Sequence, residues 1–348
     1  MQDHIHRQAP VEAKAEEPGH AGQLWSMQDM QIALAESQKK QGTFPSLGVA
    51  LSMEPLDPER IHIDRNKFLG RGTYGYVFKS EISGTPVAVK ELGISKKMKD
   101  GLSKMLKNEL RVSDLIFHPN IVKFMGYSYT AHFNDHCLLL IYEFVDGNNL
   151  DNIINSEELE RKYGFFEPRK YSVLHQVSQA IAYLHMHPKQ IIHGDIKPAN
   201  IMMTRYGEAK LCDLGLSKIK QDENLTMKTK AIAKGTPLYM APEQVLMQKT
   251  SSRMTDIYSF GATMFEVFFP DIIWDVPDIN ARDILFEKMR TVKIPDNLVK
   301  MKGHMAYDVI SKCVEYDPVN RPDALSIVNE LLALCKKNPE NLSWNRIN

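Results

Sequence analysis

No apolar run in the 348 residues approaches the roughly 20 positions that a membrane-spanning helix needs. The opening residues, Met1-Gln-Asp-His-Ile-His-Arg7, lack the apolar stretch of a secretory signal. Neither sign of charge is in excess: Lys plus Arg and Asp plus Glu number 43 each. Nothing therefore points to nucleic acid or an anionic membrane as the main partner. Cysteine is scarce, and Cys137, Cys212, Cys313 and Cys335 lie far apart, with neither the close pairs of a zinc site nor the density of a disulfide scaffold. They read as reduced thiols, which places the protein in the cytoplasm. No internal repeat is present. What remains is an ordinary globular composition, 43% apolar and 25% charged, long enough for one large domain or two lobes with full cores.

The texture changes along the chain. Residues 1–22 are polar and aperiodic, the composition of a disordered leader. Ser26-Met-Gln-Asp29 can cap a short helix running toward Lys40, with Met27, Met30 and Leu34 on one side. That stripe reads either as a docking helix for a partner or as a solvated leader. Pro55 and Pro58, in an acidic stretch, make residues 51–58 a linker. Order begins at Ile61. Gly70-Arg-Gly72-Thr-Tyr-Gly75 is a glycine pattern shared by many nucleotide-binding turns. A dinucleotide-binding fold needs a helix directly afterwards; here strand-like Tyr76-Val-Phe-Lys79, a turn at Gly84-Thr-Pro86 and strand-like Val87-Ala-Val-Lys90 make a hairpin. Lys90, ending an apolar strand, is costly to bury without a counter-ion. The helix-forming stretch from Ser95 to Phe117 carries an acid, Glu109.

The densest chemistry lies in Ile191-Ile-His193-Gly-Asp195-Ile-Lys197-Pro-Ala-Asn200-Ile201, followed by Leu211-Cys-Asp213-Leu-Gly215. Asp, Lys and Asn in close succession, then another Asp between apolar runs, is poor core material. It suits a site that positions a hydroxyl and holds divalent cations against phosphate oxygens. Asp195 would take or orient the proton of an attacking hydroxyl, Lys197 would steady the transferring phosphoryl group, and Asn200 and Asp213 would offer oxygen ligands to the metal. Upstream, Val173, Val177, Ile181 and Leu184 repeat at helical spacing and deliver the chain into this stretch.

His193-Gly-Asp195-Ile-Lys197-Pro-Ala-Asn200 resembles the catalytic loop of eukaryotic-type protein kinases, and Asp213-Leu-Gly215 resembles their metal-binding Asp-Phe-Gly. The resemblance covers residues 61–336. It implies an α+β, two-lobed fold: an antiparallel five-stranded sheet with one helix over residues 59–145, then a mainly helical lobe over 146–336. A polar extension, 1–58, and a tail, 337–348, flank them. It also implies ATP and Mg2+, with Mn2+ as the alternative ion. The glycine flap would be Leu69, Gly70, Arg71, Gly72, Thr73, Tyr74 and Gly75, whose missing side chains let backbone amides approach the phosphates. Val77 and Ala88 would roof the adenine and Met202 would floor it. Tyr142 becomes the gatekeeper, closing the pocket behind the adenine. Glu143 and Val145 would offer backbone hydrogen bonds, Asn149 would meet the ribose, and Cys212 would line the pocket, either as an alkylation point or as a merely buried thiol. Lys90 pairs with Glu109. Residues 213–243, containing Ser217, Thr226 and Thr229, match the activation segment, and Glu243 pairs structurally with Arg321. Asp256 braces the catalytic loop backbone. Lys197 and Gly235-Thr236 follow the serine/threonine pattern, so the implied activity is ATP-dependent transfer to protein Ser or Thr.

Three positions depart from the family. Ser113 is polar where an apolar residue packs toward the Asp-x-Gly segment, Gly194 replaces the Arg before the catalytic Asp, and Leu214 replaces Phe. The last two, with Tyr258-Ser-Phe-Gly261, resemble tyrosine-kinase-like kinases and, within them, receptor-interacting kinases. Without the Arg, phosphorylation of Thr226 or Thr229 is not expected to be needed to order the catalytic loop. The alternatives are an ATP-binding pseudokinase acting as switch or scaffold, for which Ser113 and Gly194 speak, and an adaptor working through a partner of residues 1–58.

Overall fold

Ser83 and Gly84 both take positive φ, 50° and 81°, a turn that folds strand β2 (Tyr76–Ile82) back on β3 (Thr85–Ile94) with Ile82 opposite Thr85. The computed structural model describes residues 53–71, 75–94, 109–132, 135–219, 237–247, 251–277 and 282–338, all within a unit spanning Thr43–Asn348. Strands β1 (His62–Arg71), β4 (Phe124–His132) and β5 (Asp135–Glu143) complete an antiparallel five-stranded sheet in the order β1-β2-β3-β5-β4.

Cross-strand register sorts the side chains. Val77 lies opposite Lys90, Lys90 opposite Leu140, and Ala88 opposite Tyr142, so these five share one face. Val87, Val89, Leu139 and Ile141 take the other face and bury themselves with Ile61. The helix α1, described for residues 109–115, sends Leu110 into a cluster with Leu92, Phe124, Leu138 and Leu140. Hydrophobic alternation thus decides that Lys90 faces the helix.

β4 is an edge of this sheet, and unpaired edges invite association. The segment ahead of β1 covers it. Leu56 donates its N–H to the Tyr127 carbonyl at 2.7 Å, and Ser128 Oγ donates to the Leu56 carbonyl at 2.6 Å. Leu56 packs against the cluster of Ile61, Val87, Val89, Leu139 and Ile141 on one face, and Met53 reaches the cluster of Leu110 and Phe124 on the other. The stretch expected as a linker is therefore, from Met53 on, part of the lobe. Leu56→Ala should cost about 1–2 kcal/mol, because a half-buried Leu loses less than the 2–5 kcal/mol of a fully buried one. A thermal melt would then fall by several degrees, whereas a solvated linker would leave it unchanged.

The second lobe grows from α4 (Glu167–Met186), which carries Pro168 in its first turn and buries Val173, Val177, Ile181 and Leu184 as their spacing predicts. Ahead of it come β6 (Gly147–Asn149), α2 (Leu150–Ile154) and α3 (Glu157–Tyr163). After it come β7 (Ile191–Ile192), β8 (Ile201–Thr204), β9 (Ala209–Leu211) and β10 (Lys218–Ile219); β6-β8-β9 and β10-β7 form two small sheets. Beyond lie α5 (Pro242–Leu246), α6 (Arg253–Phe268), α7 (Arg282–Thr291), α8 (Tyr307–Cys313) and α9 (Ala324–Lys337). α6 is buried along most of its length and capped by Ser252, whose Oγ accepts from Thr255 N–H. At Gly261 a Cβ would stand 2.7 Å from both Cys313 Cβ and Val314 Cγ1, so the close approach of α6 to α8 needs glycine. Among the described residues no helix is long and apolar enough to cross a membrane.

Candidate active site

Four elements converge on Lys90. β3 presents its ammonium, α1 brings Glu109 to 2.6 Å, and the turn after β9 brings Asp213 to 2.8 Å. Lys90 is 4% exposed and Glu109 1%. Burial alone would lower the Lys90 ammonium, but Glu109 and Asp213 outweigh it and hold Lys90 well above its ordinary value. Burial pushes the Glu109 carboxyl up, against the pull of Lys90. The fourth element is β5, whose Tyr142 hydroxyl reaches both Glu109 and Ser113. Asp213 itself sits at φ 60°, ψ 73°, a left-handed conformation unusual for a residue other than Gly, and accepts from Gly215 N–H at 3.3 Å. Strain of this kind persists where the surroundings over-determine it.

The loop after β7 lies within the same unit. Asp195 Oδ2 accepts from Lys197 Nζ at 2.9 Å and from Asn200 Nδ2 at 2.9 Å. Asn200 Nδ2 also donates to the Asp195 carbonyl at 2.7 Å, and the Asn200 carbonyl accepts Cys212 N–H at 2.9 Å. Asn200 thereby ties the loop to the strand leading into Asp213. Its amide nitrogen is spent, which leaves Oδ1 as an oxygen donor. With the Asp213 carboxylate this makes two hard ligands. Among the described residues no group of three or more His, Cys, Asp or Glu side chains could hold a metal by itself. A pair of oxygens suits an ion such as Mg2+, which keeps waters and phosphate oxygens in its shell.

Asp256, buried at the start of α6, holds the loop from below. Its carboxylate accepts His193 N–H at 2.9 Å, Gly194 N–H at 2.8 Å and His185 Nε2–H at 2.9 Å. Gly194 sits at φ 80°, which costs glycine nothing. Ser217 Oγ donates to the His193 carbonyl at 3.1 Å. His193 accepts Asp195 N–H at Nδ1, so its proton lies on Nε2, which donates to the Cys212 carbonyl at 3.2 Å. Two of these anchors, His185 and Ser217, escape the sequence reading. His185 follows Leu184 on the buried face of α4, a weak signal. Ser217 reads as one more hydroxyl in the activation segment, yet it is 1% exposed and bonded.

The proposed adenine surface is partly assembled. Val77, Ala88 and Tyr142 share a sheet face, and Met202 in β8 lies opposite the core-buried Met203. Among the described residues, nothing bonds the N–H or C=O of Val145. The Glu143 carboxylate takes Lys210 Nζ and Lys123 N–H, both at 2.8 Å, while its own N–H donates to the Lys123 carbonyl at 2.9 Å. Asn149 has a second role: its Oδ1 accepts Asn152 N–H at 2.8 Å as the cap of α2, leaving its NH2 for a ribose. Burial pushes the Cys212 thiol up to about 12, and Sγ donates to the Asn200 carbonyl, which disfavours the thiolate that alkylation needs. Gly75 is explained by packing, since a Cβ there would meet the Glu91 carbonyl oxygen at 2.0 Å. Nothing lies within 4 Å of a Cβ built on Gly70, Leu69 is exposed, and the Arg71 guanidinium lies over the Tyr76 ring. Gly72, Thr73, Tyr74, Thr226, Thr229, Gly235 and Thr236, and any helix over residues 26–40, lie outside the described residues.

The family model described as the protein kinase domain matches residues 63–332. Among similar proteins, the dual specificity protein kinase shkD of Dictyostelium discoideum is 31% identical over 281 residues, covering 78% of this chain and 35% of that protein. The serine/threonine-protein kinase CTR1 of Arabidopsis thaliana is 30% identical over 291 residues, covering 83% of this chain and 33% of its own length. Mitogen-activated protein kinase kinase kinase 3 of the same plant is 31% identical, with 76% of this chain and 41% of the relative covered. The chain thus spans between a third and two fifths of the length of these three relatives.

Proposed function

The chain belongs to the protein kinase domain family, and on that premise we propose that it transfers the γ-phosphoryl group of ATP to Ser or Thr hydroxyls of a protein substrate. The observation that carries the reading is Lys90 Nζ standing within 2.8 Å of both Glu109 and Asp213, which joins the nucleotide side of the cleft to its metal side. In this reading Lys90, oriented by Glu109, holds the α- and β-phosphates. Asp195 orients the acceptor hydroxyl and receives its proton. Lys197, bonded to Asp195, offers its cation to the moving phosphoryl group. Asn200 and Asp213 would hold Mg2+, which when bound would neutralise charge on the phosphate oxygens. Val77 and Ala88 cover the adenine, Met202 supports it, and the backbone of Glu143 and Val145 reads its edge. Catalysis then rests on positioning and charge compensation.

The pseudokinase alternative is not favoured, because Ser113 and Gly194 are both accommodated and every proposed ligand is present. Four free thiols suit a cytoplasmic setting, and the 1–58 extension, with Met27, Met30 and Leu34 in a stripe, is our candidate for a partner contact. The test is transfer of labelled phosphate from Mg-ATP to a generic basic protein, followed by phosphoamino-acid analysis. Phosphoserine or phosphothreonine is expected. Phosphotyrosine beside them would widen the acceptor class, as the name of one relative would suggest. Absence of transfer from folded protein would overturn the reading.

A further inference from the structure

Ser113 stands one helical turn after Glu109, so both project from the same face of α1. It is 2% exposed, and its Oγ lies 3.3 Å from the Tyr142 hydroxyl. The same hydroxyl donates to Glu109 Oε1 at 3.5 Å, the oxygen that also takes Lys90 Nζ. Glu109 Oε2 is buried with no hydrogen-bond partner among the described residues. Lys90 and Tyr142 are therefore the donors that its carboxylate has there. The Tyr142 ring is itself fixed edge-on against Phe124, with centroids 5.5 Å apart. One phenol on a central strand thus touches α1 at two points a turn apart. The Ser113 contact is the shorter of the two.

We infer that Tyr142 and Ser113 form a hydroxyl clamp that holds α1 where Glu109 meets Lys90, which makes both of them positioning residues for phosphoryl transfer. The inference rests on the kinase reading only for its catalytic consequence. It accounts for the polar residue at 113, since an apolar side chain there would leave the buried phenol without its nearer partner. It also gives the gatekeeper a role beyond filling space behind the adenine, and that role depends on the hydroxyl alone.

The test uses the full chain carrying Tyr142→Phe, Ser113→Ala, or both. Amide exchange in residues 109–115 would be measured beside kcat and the KM for ATP. Each single variant should speed exchange in that helix about tenfold, a factor that corresponds to about 1.4 kcal/mol, and lower kcat. Exchange in α6 should not change. Ala is the better helix former, so faster exchange in Ser113→Ala cannot come from propensity. The double variant should be no worse than the worse single one, because both remove the same contact. Strictly additive effects, or a Tyr142→Phe defect confined to the KM for ATP with Ser113→Ala unchanged, would overturn the clamp. Exchange is read without catalysis, so a wild type that transfers no phosphate would count against the kinase reading and leave the clamp to be decided by exchange.

Discussion

Asp195→Asn should lower kcat by about 10^2- to 10^4-fold while leaving the KM for ATP close to that of the wild type. The carboxylate accepts from Lys197 and Asn200 and lies in the loop that Asp256 holds rigidly, so its oxygens are aimed by contacts other than the substrate. An amide of the same shape keeps one acceptor oxygen and the approximate geometry, but it cannot take a proton from an attacking hydroxyl. Both donors meet the same oxygen, Oδ2, so an amide that places its oxygen there keeps both as weaker, neutral-acceptor bonds, a loss on the order of 1 kcal/mol in stability, too small to unfold the domain. A fall in kcat with unchanged KM marks an interaction made in the transition state rather than in nucleotide binding. Steady-state transfer over a range of ATP concentrations, with a thermal melt to verify folding, checks this. Retention of more than a tenth of the wild-type kcat would mean that Asp195 only shapes the loop.

The residues of that site were legible because each sits in a short stretch whose composition is wrong for a core. An Asp, a Lys and an Asn within one turn of chain, or a Lys ending an apolar strand, declares a cost that only a partner offsets. The helix α4 and the β2–β3 hairpin were legible for a related reason: their periods of 3.6 and 2 are local signals. Contacts whose partner lies far along the chain were legible only where the family resemblance supplied them, as for Glu243 with Arg321. Nothing in Met53–Asp57 says that β4 will be an edge strand, since strand order is a tertiary outcome. The hydroxyls of Ser113 and Ser217 look like departures or surface groups until Tyr142 and the His193 carbonyl are brought to them. Asn149 and Gly75 show a subtler limit. The sequence singles out both, but helix capping at one and backbone packing at the other already account for the residue without a nucleotide.

Arg321→Leu should destabilise the protein by about 3–5 kcal/mol, the range seen when one member of a buried ion pair is removed. The Arg321 side chain is fully buried and that of Glu243 is 6% exposed, with Nη1 and Nη2 meeting Oε1 and Oε2 at 2.7 and 2.9 Å. The remaining donors are also committed: Nε to the Glu315 carbonyl at 2.7 Å, Nη1 to Met254 at 2.8 Å and Nη2 to Tyr316 at 3.1 Å. All five N–H groups are thus used, and the guanidinium lies 5.0 Å over the Tyr258 ring. Removing it strands the Glu243 carboxylate and three carbonyls at once. Lys supplies three donors from a point rather than a fork, so Arg321→Lys should recover only part of the loss. At roughly 2–4 °C per kcal/mol, Arg321→Leu would lower the melting temperature by about 10 °C. The pair closes α5 onto the loop before α9, so the end of the activation segment should loosen with it. The double variant Glu243→Met with Arg321→Leu should be more stable than Arg321→Leu alone, because no unpaired charge stays buried. If the double variant melts lower than the single one, packing around the guanidinium rather than charge pairing holds these elements together.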